Sequence, residues 1–129
     1  MAVVSNHMSS DILTTSAEER LADAAKRMVE RGVGAVLILA GERLEGILTE
    51  RDLMKAVAAG YSEDAKVADW MTRHPETIEA DDSTGHAAAL MIHGGFRHLP
   101  VLDEGRVAGI ISIRDLMRVS IDVVPPPGN

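Results

Sequence analysis

The chain has no cysteine, and among its 129 residues only Tyr61, Trp70 and Phe96 are aromatic. Without cysteine there are no disulfides, thiolate nucleophiles or thiolate metal sites. That fits a reducing compartment, and a cytoplasmic location is expected. Scarce aromatics leave the core to Leu, Val, Ile, Met and Ala, and leave few platforms on which nucleic-acid bases could stack. Positive charge is also short: 13 Lys and Arg face 20 Asp and Glu, a net charge of −7. This balance argues against non-specific binding to nucleic acid or to anionic lipid, though not against a small anionic ligand met by local cations. No apolar run is longer than Ala35–Ala40, which is far too short to span a bilayer. The N-terminus has no basic region followed by a long apolar stretch, so no signal peptide is read there.

What the chain has is a repeat. Gly46-Ile47-Leu48-Thr49-Glu50-Arg51-Asp52-Leu53-Met54 returns 63 positions later as Gly109-Ile110-Ile111-Ser112-Ile113-Arg114-Asp115-Leu116-Met117. The same offset pairs Met8 with Met71, Ala25 with Ala88, Met28 with Met91, Gly32 with Gly95 and Arg43 with Arg106, without a gap from Val4 to Val57. Such self-similarity means two copies of one supersecondary unit. Each half, at roughly 60 residues, would be marginal alone, so the halves are expected to pack together.

Each copy reads as β-α-β-β-α. Residues 4–10 and 67–73 are apolar-anchored lead-in segments. Thr14 and Thr15, matched by Thr77 and Ile78, suit a short strand. Ser16-Ala17-Glu18-Glu19 has the form of a capping box, with Ser16 as cap and Glu19 three residues on. Leu21, Ala24, Ala25 and Met28 follow at helical spacing, and Gly32 is placed to end that helix. The second copy runs through Ala87, Ala88, Leu90 and Met91 to Gly94 and Gly95. Residues 35–39 then read as a buried strand, Gly41-Glu42-Arg43 as a turn, and residues 44–48 as the returning strand of a hairpin. Its counterpart is 98–102, a turn at Asp103-Glu104-Gly105, and 107–111. Helices are expected over 50–59 and 113–121. The domain plan is therefore 4–59 for the first repeat, 60–66 for a polar linker, 67–121 for the second repeat and 122–129 for a disordered tail, with residues 1–3 frayed.

The repeated motif admits two readings. Thr49-x-x-Asp52 and Ser112-x-x-Asp115 are each a capping box for the following helix, a purely structural role. A strand ending at a helix N-terminus is also a seat for phosphate, because free backbone N–H groups and the positive end of the helix dipole meet there. A hydroxyl (Thr49, Ser112) can donate to phosphate, an adjacent guanidinium (Arg51, Arg114) can neutralise it, and a carboxylate one turn in (Asp52, Asp115) suits ribose hydroxyls, which need an acceptor. The roles are compatible: an aspartate can cap the helix when the site is empty and bind ribose when it is filled.

With Val67-Ala68-Asp69-Trp70-Met71-Thr72 and Arg97-His98-Leu99-Pro100-Val101 in the same register as those motifs, the chain resembles a tandem pair of CBS domains, or Bateman module, over about residues 4–121. The resemblance implies an α/β (α+β) fold of two β-α-β-β-α repeats packed about a pseudo-twofold axis, with two clefts between them for adenosine compounds: AMP, ADP, ATP, S-adenosylmethionine or NAD. It implies that Thr49 and Ser112 reach ribose or phosphate, and that Asp52 and Asp115 hold the ribose. Arg51 and Arg114 are then plausible phosphate contacts. Thr14, Thr15, Gly34, Ala35 and Val36, with Thr77, Ile78, Arg97, His98 and Leu99 in the second copy, would line the adenine side. It also implies a homodimer and a partner protein that reads the bound state. The copies differ where Gly34-Ala35-Val36-Leu37 faces Arg97-His98-Leu99-Pro100, and where His7 faces Trp70. The two sites are therefore chemically unequal, with more cationic character in the second.

Other chemistry is thin. His86 and His93 are too far apart for a compact chelate, and no H-E-x-x-H occurs. No nucleophile elbow accompanies a Ser, His and acid set. The expectation is no catalysis, no metal and no required cofactor. The rival to a nucleotide sensor is a constitutive oligomerisation module, in which the motif is only a cap and apolar helix faces make an oligomer; Met28, Met54, Met91 and Met117, at helical spacing, suit core filling or a subunit interface. RNA binding through Arg97, Arg106, Arg114 and Arg118 is disfavoured by the acidic balance.

Overall fold

The computed structural model describes residues 2–123, with residues 120–123 followed by their backbone alone. It is a mixed α+β fold. Among the described residues there are five α-helices and seven strands in two sheets. The chain divides into two compact units: Ile12–Pro75 forms one, and the residues up to Asp11 join those from Glu76 onward in the other. Compact units and sequence repeats are thus offset. Each repeat's lead-in segment belongs to the unit built mainly from the other repeat.

In the first unit, β1 (Thr14–Thr15) lies parallel to β2 (Ala35–Ala40). β2 forms an antiparallel hairpin with β3 (Arg43–Thr49). Helix α1 (Leu21–Arg31) crosses between β1 and β2, and α2 (Glu50–Ala59) follows β3. The lead-in of the second repeat then supplies a short helix, α3 (Val67–Trp70), and the edge strand β4 (Thr72–Arg73), antiparallel to β3. The core is aliphatic: Leu13, Leu21, Ala24, Met28, Val36, Ile38, Leu48, Ala56, Ala65, Val67 and Met71. The expected helical stripe is present, with Leu21, Ala24 and Met28 all buried. Gly32, with φ 66°, closes α1 in the left-handed conformation that glycine adopts without steric cost.

The second unit repeats the plan. β5 (Ile78–Glu79) is parallel to β6 (His98–Asp103), which pairs antiparallel with β7 (Arg106–Ser112). Helix α4 (Thr84–Gly94) precedes β6, and α5 (Ile113–Val123) follows β7. The hairpins share a register irregularity at equivalent places, between Ile38 and Leu39 and between Val101 and Leu102. Val4, in a 3-10 turn at Val4–Asn6, fills this unit's core together with Ile78, Ala87, Met91, Leu99, Val101, Ile111 and Leu116. Ser9 bridges Ile110, as β4 pairs with β3 in the other unit.

These edge pairings explain the glycine that opens the repeated motif. A Cβ on Gly46 would lie 2.7 Å from the Thr72 carbonyl oxygen, and one on Gly109 would lie 2.5 Å from that of Ser9. Only glycine lets the neighbouring backbone approach so closely.

Two expectations are corrected. Ser16 does not cap α1: the helix starts at Leu21 with Arg20 at its N-cap and no side-chain cap. Backbone from the linker and the start of the second lead-in segment supplies partners at this end. Leu21 N donates to Ala65 O at 2.8 Å, and Val67 N donates to Glu19 O at 2.8 Å. The Glu19 carboxylate turns instead to Arg27 Nη2, at 2.6 Å, and to the Thr15 hydroxyl. The tail was expected from residue 122, but α5 runs through Asp122 to Val123. The rest of that expected tail, 124–129, and Met1 lie outside the described residues.

Candidate functional site

Each unit gathers the motif residues at one end of its sheet. In the first, Ala35 opens β2 directly opposite Thr49, which ends β3, and Val36 lies opposite Leu48. Thr14 pairs with Leu37 and Thr15 with Ile38 on the other side of β2. Glu50 N donates to Gly34 O at 3.1 Å, which closes the corner where β3 becomes α2. The second unit matches: His98 lies opposite Ser112, Leu99 opposite Ile111 and Ile78 opposite Val101, and Ile113 N donates to Arg97 O at 2.9 Å. Thr77 sits half-buried just before β5.

The aspartates form capping boxes in both units. Asp52 N donates to Thr49 Oγ1 at 3.4 Å, while Asp52 Oδ2 accepts from Thr49 N at 2.9 Å and from Thr49 Oγ1 at 3.2 Å. Asp115 N donates to Ser112 Oγ at 3.2 Å, and Asp115 Oδ2 accepts from Ser112 N at 2.8 Å and Ser112 Oγ at 3.0 Å. The structural role of the motif is therefore real in both copies. It also uses amide groups that a phosphate would want. The first and third amides of α2 and of α5 are already bonded, so fewer backbone donors are left for an anion here and side-chain cations would supply more of its partners.

Beyond the cap the two aspartates differ. Asp52 is 6% exposed, and its second oxygen, Oδ1, accepts from Thr72 Oγ1 at 3.1 Å. The Asp115 side chain is 15% exposed. Its Oδ1 accepts no hydrogen bond among the described residues, and Arg118 Nη1 lies 3.7 Å away as an ion pair. The contact of Thr72 with Asp52 is the feature of the candidate site that sequence reasoning missed. Thr72 stands in a different repeat from Asp52, and nothing in its local pattern links the two.

The remaining candidates fall into three groups. Arg51, Arg97 and Arg114 are exposed at the site's rim, and His98 is half-buried. Ala35 is buried, and Val36, Ile78 and Leu99 are core side chains of their own units, so at these last three positions only backbone faces outward. Thr14 and Thr15 are committed to internal bonds: Arg27 Nη2 donates to Thr14 O at 3.1 Å, and the Thr15 hydroxyl donates to Ser16 O and to the Glu19 carboxylate. Burial opposes ionisation of Glu19, but hydrogen bonds and charge from Arg27, with help from Thr15, outweigh it and hold the carboxyl below its ordinary value. No group of three or more His, Cys, Asp or Glu residues that could hold a metal ion occurs among the described residues. No helix among them is long and apolar enough to cross a membrane.

Comparison with known proteins gives a consistent result. The CBS domain family matches residues 4–59 and again residues 67–122. An uncharacterized 17.7 kDa protein of Acidianus ambivalens is 39% identical over 105 residues, covering 80% of this chain but only 63% of the relative. Among solved structures, a putative signal-transduction protein with CBS domains from Burkholderia ambifaria superposes with a TM-score of 0.87 at 37% identity, over 93% of this chain and 90% of that one. The CBS domain pair of protein MJ0100, solved in complex with 5′-methylthioadenosine and S-adenosyl-L-methionine, gives 0.88 at 25% identity, over 96% and 99%.

Proposed function

The chain belongs to the CBS domain family, and from that premise we propose that it is a regulatory module that binds an adenosine compound at its repeated motifs. Asp115 is the principal ribose acceptor and Asp52 its counterpart. Ser112 and Thr49 stand beside them for ribose or phosphate. Arg114 and Arg97 supply the charge that a phosphate or carboxylate needs at the second motif, and Arg51 supplies it at the first. The single observation that carries this reading is Asp115 Oδ1, a carboxylate oxygen in the first turn of α5 that accepts no hydrogen bond among the described residues and has the Arg118 guanidinium 3.7 Å away. The adenosine ligands of the MJ0100 domain pair support the same ligand class. AMP, ADP, ATP, S-adenosylmethionine and NAD are the compounds to test. The module is read as non-catalytic and cytoplasmic, and a partner protein would respond to its bound state.

A thermal-unfolding panel with those five compounds tests the proposal. A ligand at a hundred times its dissociation constant stabilises the protein by about 2.7 kcal/mol, which for a chain of this size is a shift of roughly 5–15 °C. A shift lost in Asp115→Ala supports the reading. No shift with any compound refutes it.

A second reading, the constitutive oligomer, has its own observation. Exposed apolar side chains recur at the repeat offset: Val29 (81%) with Ile92 (74%), and Met54 (68%) with Met117 (60%). Large apolar side chains repeated on helix surfaces suit a self-complementary contact, and a homodimer is proposed on that basis. A monomer by sedimentation equilibrium at micromolar concentration would remove it.

A further inference from the structure

The two motifs share a sequence pattern, but only at Asp52 does the carboxylate accept a hydrogen bond from outside the cap among the described residues; Asp115 Oδ1 has instead the Arg118 guanidinium 3.7 Å away. Thr72 opens β4, near the end of the exchanged lead-in segment. Its backbone pairs with Ile47 on the edge of β3, and its hydroxyl donates to Asp52 Oδ1 at 3.1 Å. The equivalent residue in the other unit is Ser9, 63 positions earlier. Its backbone makes the matching bridge to Ile110, but its hydroxyl makes no hydrogen bond to Asp115 among the described residues. The donor on Asp52 is thus a hydroxyl, the same group that a ribose would offer.

We propose that Thr72 is a specificity-determining latch: its hydroxyl occupies the acceptor of the first motif in place of a ligand hydroxyl, so the second motif binds first and the first motif binds only when Thr72 lets go. This rests on the adenosine-binding reading above. At Asp115 a ribose hydroxyl adds a hydrogen bond to a carboxylate. At Asp52 it merely exchanges one such bond for another, and the displaced Thr72 hydroxyl, on an exposed residue, returns to water. The difference is about one hydrogen bond to a charged group, or roughly tenfold to a hundredfold in dissociation constant. The latch is specific to this pair of residues, because the serine hydroxyl at the same place in the other unit makes no such hydrogen bond among the described residues.

The test is a calorimetric titration of the purified chain with AMP as probe. Wild type should show a tight step lost in Asp115→Asn and a weaker step, or none, at the first motif. Thr72→Val keeps the β-branched shape that suits β4 and removes only the donor. It should strengthen or create the first-motif step by about tenfold or more. Thr72→Ala should act in the same direction. Thr72→Ser, which keeps the hydroxyl, should behave as wild type, and Ser9→Ala should change neither step. Binding lost in Asp115→Asn, with a first-motif step that Thr72→Val and Thr72→Ala leave unchanged or weaken, overturns the latch alone. No AMP binding by wild type or by either Thr72 variant overturns the latch for this nucleotide, and the five-compound thermal panel then decides separately whether the binding reading survives.

Discussion

Replacing Gly109 by alanine should damage this protein far more than a one-methyl change normally would. The new Cβ would lie 2.5 Å from the Ser9 carbonyl oxygen, a backbone atom, and 2.8 Å from the Met8 sulfur. The methionine can swing away. The carbonyl cannot move alone, because it accepts from Ile110 N at 2.9 Å while Ser9 N donates to Ile110 O at 2.9 Å. Reaching even a tight 3.0 Å contact means moving the segment by about 0.5 Å, which carries both bonds past good geometry. Two backbone hydrogen bonds at about 0.5–1.5 kcal/mol each give a loss of roughly 1–3 kcal/mol, the range found for overpacked sites. For a chain of this length that lowers the melting temperature by about 4–12 °C. Gly46→Ala should act likewise through the Thr72 carbonyl, 2.7 Å from its Cβ. Gly85→Ala is the control. It lies in the first turn of α4, its Cβ would meet only Ser83 Oγ at 3.9 Å, and alanine there should stabilise by up to about 0.5–1 kcal/mol. Circular dichroism melts of the three variants decide. A Gly109→Ala protein that melts with wild type, or a Gly85→Ala protein that falls as far as Gly109→Ala, would refute the close-approach argument.

Other expectations follow from the same geometry. Met28→Ala, at a side chain 2% exposed in the first unit's core, should cost about 2–5 kcal/mol in urea unfolding; a loss under 1 kcal/mol would mean that this core is not packed as described. Ser112→Ala should cost about 0.5–2 kcal/mol, because it removes the cap of α5 while leaving the Asp115 carboxylate in place; an unchanged urea midpoint would contradict the capping role. The Glu19–Arg27 pair predicts a pH dependence. The folded carboxyl is held below its ordinary value of 4.5, so the unfolded chain binds more protons in that window. The pair's stability is therefore complete above the ordinary value and is lost as pH falls through the folded one. The gap in urea midpoint between wild type and Arg27→Met should narrow as pH drops from about 6 to about 3; a gap independent of pH would show that the ion pair is not its source.

Much of the fold was legible because its signals are local. Ala35–Ala40 is a continuous apolar run, and the structure makes it a strand with four buried residues. Helix α2 begins and ends at the expected residues because Thr49 caps one end and Gly60, at φ 74°, terminates the other. The 63-residue offset carried the β-α-β-β-α plan from one copy to the next. What stayed hidden depends on contacts across long stretches of sequence. Ser16-x-x-Glu19 has the pattern of a cap, but backbone groups at Ala65 and Val67 meet that end of the helix and free Glu19 for Arg27. Val4 and Val67 are visibly apolar, yet no local pattern says that each fills the core assembled mainly from the other repeat. At the candidate site, the pairing of Thr49 with Asp52 and of Ser112 with Asp115 is a three-residue relation that can be read directly. The bond from Thr72 to Asp52 spans 20 residues and leaves no periodic trace. Burial of Val36, Ile78 and Leu99 likewise restricts those positions to backbone contacts, which residue identity alone did not reveal.

The central claim is that an adenosine compound binds at the repeated strand-to-helix corners. The most direct test is a titration of isotope-labelled protein followed by amide nuclear magnetic resonance, using whichever of AMP, ADP, ATP, S-adenosylmethionine and NAD stabilises the protein. The account predicts that the largest, saturable shifts fall on residues 112–115 and 97–99, with residues 49–52 following at higher concentration. Saturable shifts confined to other parts of the chain, or none with any of the five compounds, would contradict it.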